Sequence, residues 1–556
     1  YLNDFRNSII QFTKVDLNWF FDQWLNTNKD LDYAIGKVEN IGSDTFEITV
    51  LRKGEMEMPI DLTIDSRFGL QYEYHIPNKW FIKEDKDRDF ILPKWTGYGN
   101  LNKEYTFVTH VPSGIKNVII DNSNRLADSY MINNRHKGNI DFSLDYGVKK
   151  WANLRQYEMK ARPDLWYNAY DGMKIGTNIE GHYLKTHHKI QGNFWINSGI
   201  FRDDNLNDSQ NDKISYRIKY STSLYKYVKH SRLRFELSAL DGLNYFSLGY
   251  KLKDKSNMNT LDISFNSFKR KETSDLNGYL LNEGNWGAEN MLNTHMLIGL
   301  EHRYKYLNGN KLKGTGHIHI SLKASSIMSD YDFSQLSMSA INNNQLGDFK
   351  IKTRLFAQRG FNHTGSKYSN DTPFESMLYA AGASPEEMMS NKFTRSAGFI
   401  PNNWASYSQS NTNIFHYGGG LNLRGYAGYL MGESENDMVN EGDFNFLYRG
   451  TSGIAFNTEI DFTDAIRYMN YFGLNSYIFM DMGVMDEDYM DNHLSFSSLH
   501  MDAGVGFTLE LSRLWNRFIE AEPLVLRLDF PLFLNKPPGD QNYMKLRCVF
   551  GINKTF

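Results

Sequence analysis

The sequence is short of cysteine, of long apolar runs and of surplus basic charge, and each shortage removes a class of protein. A single cysteine, Cys548, in 556 residues allows no intramolecular disulfide framework and no multi-cysteine metal site. No run of apolar residues reaches the length a membrane-spanning helix needs. The net charge is −4, with 61 Lys and Arg against 65 Asp and Glu. A nucleic-acid binder needs an excess of cations to neutralise phosphate, so no nucleic acid is expected as a partner. No basic, apolar leader ending in small residues stands at Tyr1, so a signal peptide is expected to have been removed or to lie upstream. Also missing are a Walker loop, a nucleophile elbow and a dinucleotide fingerprint.

Aromatic residues, in contrast, are abundant. They make up 15% of the chain, with 34 Tyr and 37 Phe, while hydrophobic residues reach only 41% and mean hydropathy is −0.54. A transmembrane β-barrel combines these traits, because its outer face carries aromatic girdles at both lipid boundaries while its lumen stays polar. A soluble, glycan-binding β-protein would combine them too, and composition leaves both open.

The pattern changes near residue 135. Before it, Ile9, Ile10, Phe12, Val15, Leu17, Trp19, Phe20, Phe21, Trp24 and Leu25 predict one or two short helices over residues 1–30. Residues 31–135 predict a small β-sandwich with strands over Phe46–Arg52, Met58–Ile64 and Tyr105–Val111. Pro59, Pro77, Pro93 and Pro112 fall where strand ends and turns are expected. Residues 136–164 read as a linker.

From 165 to 556 the chain alternates apolar and polar residues, segment after segment. Tyr216, Ile218 and Tyr220 interleave with Arg217 and Lys219, and Leu233, Phe235 and Leu237 with Arg232, Arg234 and Glu236. Ile318, Ile320 and Leu322 interleave with His317, His319, Ser321 and Lys323. Period two sends the two sets to opposite sides of a sheet. Roughly 16 such segments, about 25 residues apart, match an antiparallel membrane barrel better than a sandwich with its tighter turns. The fold class expected is therefore mainly β: a barrel of about 16 strands behind a short helical segment and a small sandwich. Arg202–Lys213 and Lys255–Asn257 read as connections, and the stretch from Gly360 to His416 is too long for an idle one.

One loop is specific. Gly418-Gly419-Gly420-Leu421-Asn422-Leu423-Arg424-Gly425-Tyr426 resembles the (V/L/I)RG(F/Y) loop of the Omp85 superfamily of outer-membrane insertases and translocators. Downstream, Phe456–Phe462 with Glu459, Phe479-Met480-Asp481-Met482-Gly483, Ala503-Gly504-Val505-Gly506-Phe507 and Leu528-Asp529-Phe530 resemble the family's successive strands. The final segment keeps Met544, Leu546, Cys548, Phe550 and Ile552 on one parity and stops at Phe556, like the β-signal that the barrel-assembly machinery reads. The resemblance covers roughly residues 415–556 by motif. It implies that the loop folds into the lumen, where Arg424 pairs with Asp481 and Glu459 while Gly425 and Tyr426 pass close to the wall. A guanidinium held there requires a carboxylate, because an uncompensated buried charge is costly. The plainer reading is a glycine-rich surface hairpin with an exposed arginine. The resemblance also implies outer-membrane lipid around the barrel, a periplasmic N-terminal module, and protein or peptide clients. No client-binding POTRA domain is recognisable, however.

The first 135 residues resemble a different family. Phe20-Phe21-Asp22-Gln23-Trp24-Leu25 and Thr49–Ile60, with Asp121 and Asn133-Asn134, are similar to the end of the catalytic region and the following sandwich of M1 zinc aminopeptidases. Those enzymes hold Zn2+ with HExxH and a distal Glu, yet none of the 15 histidines here is followed by Glu. No cofactor is therefore expected in this chain, and Zn2+ only if a peptidase domain lies upstream. His182, His187 and His188 beside Glu180, and His317 with His319, read as solvated or lumenal groups rather than ligands. Two functions result: a barrel that anchors a peptidase-like module or moves polypeptide, or a membrane-anchored M1 metallopeptidase.

Overall fold

The computed structural model describes all residues except 1, 83–89, 145–152, 169–170, 202–211, 271–290, 309–310, 364–371, 390–414, 428–448, 467–473, 487–492, 511–524, 538–541 and 553–555. The connection expected at Arg202–Lys213 thus falls almost wholly outside the described residues. The chain divides into two compact units. One comprises Tyr1–Ser143, Lys150–Lys160 and Gly181–Lys185, and the other Leu144–Lys149, Ala161–Glu180 and Thr186–Phe556.

The first unit opens with helices Leu2–Thr13 and Asn18–Asn26. Only the second buries side chains, among them Trp19 and Phe21. The first helix lies against it through the Phe5–Phe21 edge contact and an Arg6–Asp22 ion pair of 2.8 Å. Two sheets follow. Tyr33–Gly42, Thr45–Arg52 and Glu104–His110 form one; Phe90–Ile91, Gln71–Ile76, Ile60–Ser66 and Ile115–Ile120 form the other. Alternate residues of both, such as Ile48 and Val50 from one and Leu62, Ile64 and Val118 from the other, share a single apolar core. Pro59 precedes one strand, and Pro77 and Pro93 follow others. Proline cannot donate to a ladder, so it collects at such ends.

The described residues form one large antiparallel sheet of 17 strands, whose strand order is that of a closed barrel and which accounts for most of the second unit. Ile140–Leu144 belongs to this sheet, and Tyr157 opens the next strand, so strands begin inside the stretch read as a linker. Ile140–Leu144 lies before residue 165, where the alternating segments were expected to begin. Neighbouring strands pair antiparallel, for instance Leu243–Lys253 in unbroken register with Asn259–Arg270, with an irregularity at Tyr306/Leu307.

The two faces of this sheet invert the usual arrangement. Leu233, Tyr250, Ile263, Ile298, Leu322 and Leu336 pair in register across six strands, and Leu248, Met296, Ile298, Leu300, Ile320, Leu322 and Leu336 are all exposed. The alternate positions bury polar groups instead: His295, Asn293, Gln335, Arg354, Asn457, Asp481 and Asp502 are each under 9% exposed. No helix among the described residues is long and apolar enough to cross a membrane, which leaves crossing by strands untouched.

Candidate functional site

The polar face of the sheet is covered by two pieces of the long connection after strand Phe349–Asn362, namely residues 372–389 and 415–427. They are hydrogen-bonded to each other: Leu421 N donates to the Tyr379 carbonyl at 3.0 Å, Leu423 N to Ala380 at 2.9 Å and Ala383 N to Tyr417 at 3.0 Å. Gly420, at φ +52°, passes so near the Tyr379 and Gly382 carbonyls that a side chain would collide with both. Beneath the two pieces, Leu378, Leu421, Leu423 and Tyr426 pack on Phe356, Ala455, Met485 and Leu534 of the sheet.

Arg424 is fully buried and occupies a short 3-10 turn, Arg424–Tyr426. Its Nε donates to Asp481 Oδ2 at 2.6 Å and its Nη2 to Asp481 Oδ1 at 3.2 Å, a bidentate fork, while Nη1 donates to Glu459 Oε1 at 2.9 Å. Asp529 lies 3.8 Å from Nη1. The guanidinium carbon sits 4.2 Å from the centre of the Phe479 ring, so cation–π attraction adds to the ion pairs. Asp481 also accepts from Asn457 Nδ2 at 3.1 Å, and that amide donates to the Leu421 and Asn422 carbonyls as well. The residues named from sequence, Arg424, Glu459 and Asp481, are thus brought together. The exposed-hairpin reading of Arg424 does not match this burial.

Gly425 and Tyr426 serve the approach to the wall. A Cβ on Gly425 would come within 2.6 Å of Asp502 Cβ, and Tyr426 donates from its hydroxyl to Asn535 Oδ1 at 3.1 Å. Glycines of strand His500–Glu510 make room for the rings beside the guanidinium: a Cβ on Gly504 would lie 2.9 Å from Phe479 Cζ. This is a physical reason for a glycine-rich strand next to an aromatic–acidic one.

Several contributors were not anticipated. Arg354 donates to the Gly420 carbonyl at 2.8 Å and to Asn457 Oδ1 at 2.9 Å. Tyr477 donates to Asp529 at 2.5 Å, and Asp529 pairs with Arg527 at 2.9 Å. Further along the sheet, Glu386 on the short helix Pro385–Met388 accepts from Lys323 Nζ and Ser376 Oγ, both at 2.8 Å, with His295 Nε2 at 3.2 Å. Glu375 accepts from Asn293 Nδ2 at 2.9 Å, and Gln335 donates to the Ser376 carbonyl at 2.9 Å. Arg354 and Lys323 were visible as members of alternating strands. Their partners could not be read, because the loop residues lie far away in sequence and follow no period.

The terminal strand joins the large sheet. Phe550 pairs with Leu528 and, in parallel, with Phe415. Its described part is Val549–Ile552; residues 553–555 lie outside the described residues, and Phe556 places its ring 4.5 Å from Lys352 Nζ. The histidines disperse: His188 contacts the Tyr220 hydroxyl at 2.7 Å and His182 lies 3.8 Å from Glu158. No cluster of three metal-ligating side chains occurs among the described residues.

No family model and no curated protein matches the chain. Solved structures similar to it are outer-membrane β-barrels. BamA from Haemophilus ducreyi lacking POTRA domains 1–3 is 10% identical, with a TM-score of 0.37 over 72% of each chain. Pseudomonas aeruginosa OprD is 9% identical, with a TM-score of 0.33 over 71% of this chain and 84% of its own. A BenF-like porin from Pseudomonas fluorescens Pf-5 is 6% identical, with a TM-score of 0.31 over 94% of this chain and 95% of its own. Scores this low assign neither a family nor an activity.

Proposed function

We propose that this protein is an Omp85-like barrel of the bacterial outer membrane, closed by an inward loop clamped at Arg424, with its N-terminal sandwich in the periplasm. The observation that carries this reading is the inversion of the large sheet: a contiguous exposed apolar row on one face and a buried network of ion pairs on the other. An apolar row of that extent is disfavoured in water and favoured in lipid, and a closed barrel is the arrangement that lets strands cross a bilayer with their backbone groups paired. The terminal strand would be the segment handed to the barrel-assembly machinery. The activity proposed is the handling of polypeptide clients across or into the membrane. A membrane-anchored M1 zinc peptidase is the second reading, and it rests on the short motifs of the first 135 residues.

The test is extraction and electrophoresis. The membrane reading expects a requirement for detergent and a faster-migrating folded band that shifts on boiling. A monodisperse protein in detergent-free buffer overturns it. Peptidase activity in the full-length gene product that is lost on chelation, with unaltered membrane insertion, would favour the second reading.

A further inference from the structure

Away from the Arg424 clamp, the inward face carries a second concentration of charge, in which cations outnumber carboxylates. It lies on the strands His187–Asn197, Ile214–Ser223, Ser231–Leu240 and Leu243–Lys253, near the connections that join Ser223 to Ser231 and Lys253 to Asn259. Three carboxylates reach this area, and each is already shared: Glu301 pairs with Arg303 at 2.6 Å and also acts on Lys251. Glu236 holds Arg217 at 2.7 Å and Lys219 at 3.6 Å. Asp262 holds Arg234 and, at 3.7 Å, Lys251. Lys189, Arg232 and Lys253 have no carboxylate within ion-pair distance among the described residues.

The register makes this arrangement costly. Arg232 stands directly opposite Lys251, and like charges at facing positions destabilise a sheet. Lys189 is close enough to Arg232 for the two charges to act on one another. A wall under no demand other than solubility would mix signs here, as the neighbouring Lys251–Asp262 pair does. An anion placed between these side chains would relieve the repulsion.

The spacing limits which anion. Lys189 lies in register with Gly249, three strands away and four residues short of Lys253, so these two cations are about 14 Å apart across the strands and about 13 Å along them, and a single phosphate or carboxylate cannot reach every cation. Arg232 in the middle offers a planar fork suited to two oxygens of one phosphoryl group, with ammonium charges on either side. We propose that this patch binds an extended anion bearing several phosphate groups, taken from the aqueous lumen. This rests on reading that face as a lumen, and it adds a ligand class that the Arg424 clamp does not imply.

Inorganic tripolyphosphate is the probe, titrated calorimetrically into the full chain in zwitterionic micelles at low and high ionic strength. Saturable binding that weakens with salt is expected, tighter than for orthophosphate. Arg232→Gln and Lys253→Gln should each weaken it about ten-fold, the scale of one charge-assisted hydrogen bond. Lys305→Gln, on the same face but outside the patch, should leave it unchanged. Absence of saturable binding, or equal loss in all three variants, overturns the proposal, provided that each variant keeps its heat-shifted band. Binding to phosphatidylglycerol vesicles without binding to tripolyphosphate would mean that the cations meet lipid headgroups, and it overturns the lumenal site. Failure of the membrane reading itself would show separately, as monodispersity without detergent.

Discussion

The two units bury opposite chemistry with the same secondary structure. In the first, residues such as Ile48, Val50, Leu62, Ile64 and Val118 point between two sheets and are almost inaccessible. In the second, isoleucines and leucines of the same strand type, Ile298, Leu300 and Leu322, are exposed, and Arg424, Asp481 and Asp529 are buried completely. Alternation decides only that two faces differ. Which face is solvated depends on what stands opposite it: a second sheet in the first unit, and a folded-in loop with polar neighbours in the second. The first unit is therefore held by apolar burial, worth about 25 cal/mol per Å². The second is held on its inner side by paired charges, whose removal one at a time is expensive because the partner is stranded.

That contrast can be broken experimentally, and Arg424→Ala carries the largest expected effect. It strands Asp481 and Glu459 and should cost about 3–5 kcal/mol, read as loss of the heat-shifted band or of assembly yield. In a double-mutant cycle Asp481→Ala should add little to it, and fully additive losses would argue against the pairing. Next comes Ile48→Ala in the sandwich, expected to cost about 2–5 kcal/mol through a cavity. It should lower the melting temperature of the first unit and leave the heat-shifted band intact. Leu300→Arg on the exposed row should cost about 2–4 kcal/mol in a bilayer if that row lies at mid-depth. A neutral result in lipid, measured by urea titration, would contradict the lipid-facing assignment.

The smallest effect is a pH dependence confined to the sandwich. Burial pushes the Asp128 carboxyl up from 3.8 to about 6, against the stabilising hydrogen bonds from the Tyr33 and Tyr130 amides. Because the folded state binds this proton more tightly than the unfolded one, Asp128 contributes stability that is fully present below pH 3.8 and lost as pH rises through about 6. Thermal melts of the first unit followed by limited proteolysis should show that decline, and Asp128→Asn should flatten it.

Legibility from sequence was uneven, for physical reasons. Strands such as Ile214–Ser223 and Ser231–Leu240 were readable because their side chains obey period two. Tyr33–Gly42 and Gln71–Ile76 were missed, since their burial follows no clean alternation. At the site, Arg424, Glu459 and Asp481 were found through short motifs, whereas Glu386 and its partners Lys323 and His295 carry no local signature.

The sequence by itself determined that the chain is mainly β, that no helix spans a bilayer, and that a glycine-flanked arginine needs carboxylates. Each of these follows from composition, period or charge within a few residues. Only the tertiary structure decided that the long connection returns in two pieces, that Glu386 clasps Lys323 and His295, and that Arg232 faces Lys251. These relations join positions tens of residues apart, and register and loop path, which local propensity does not encode, set them.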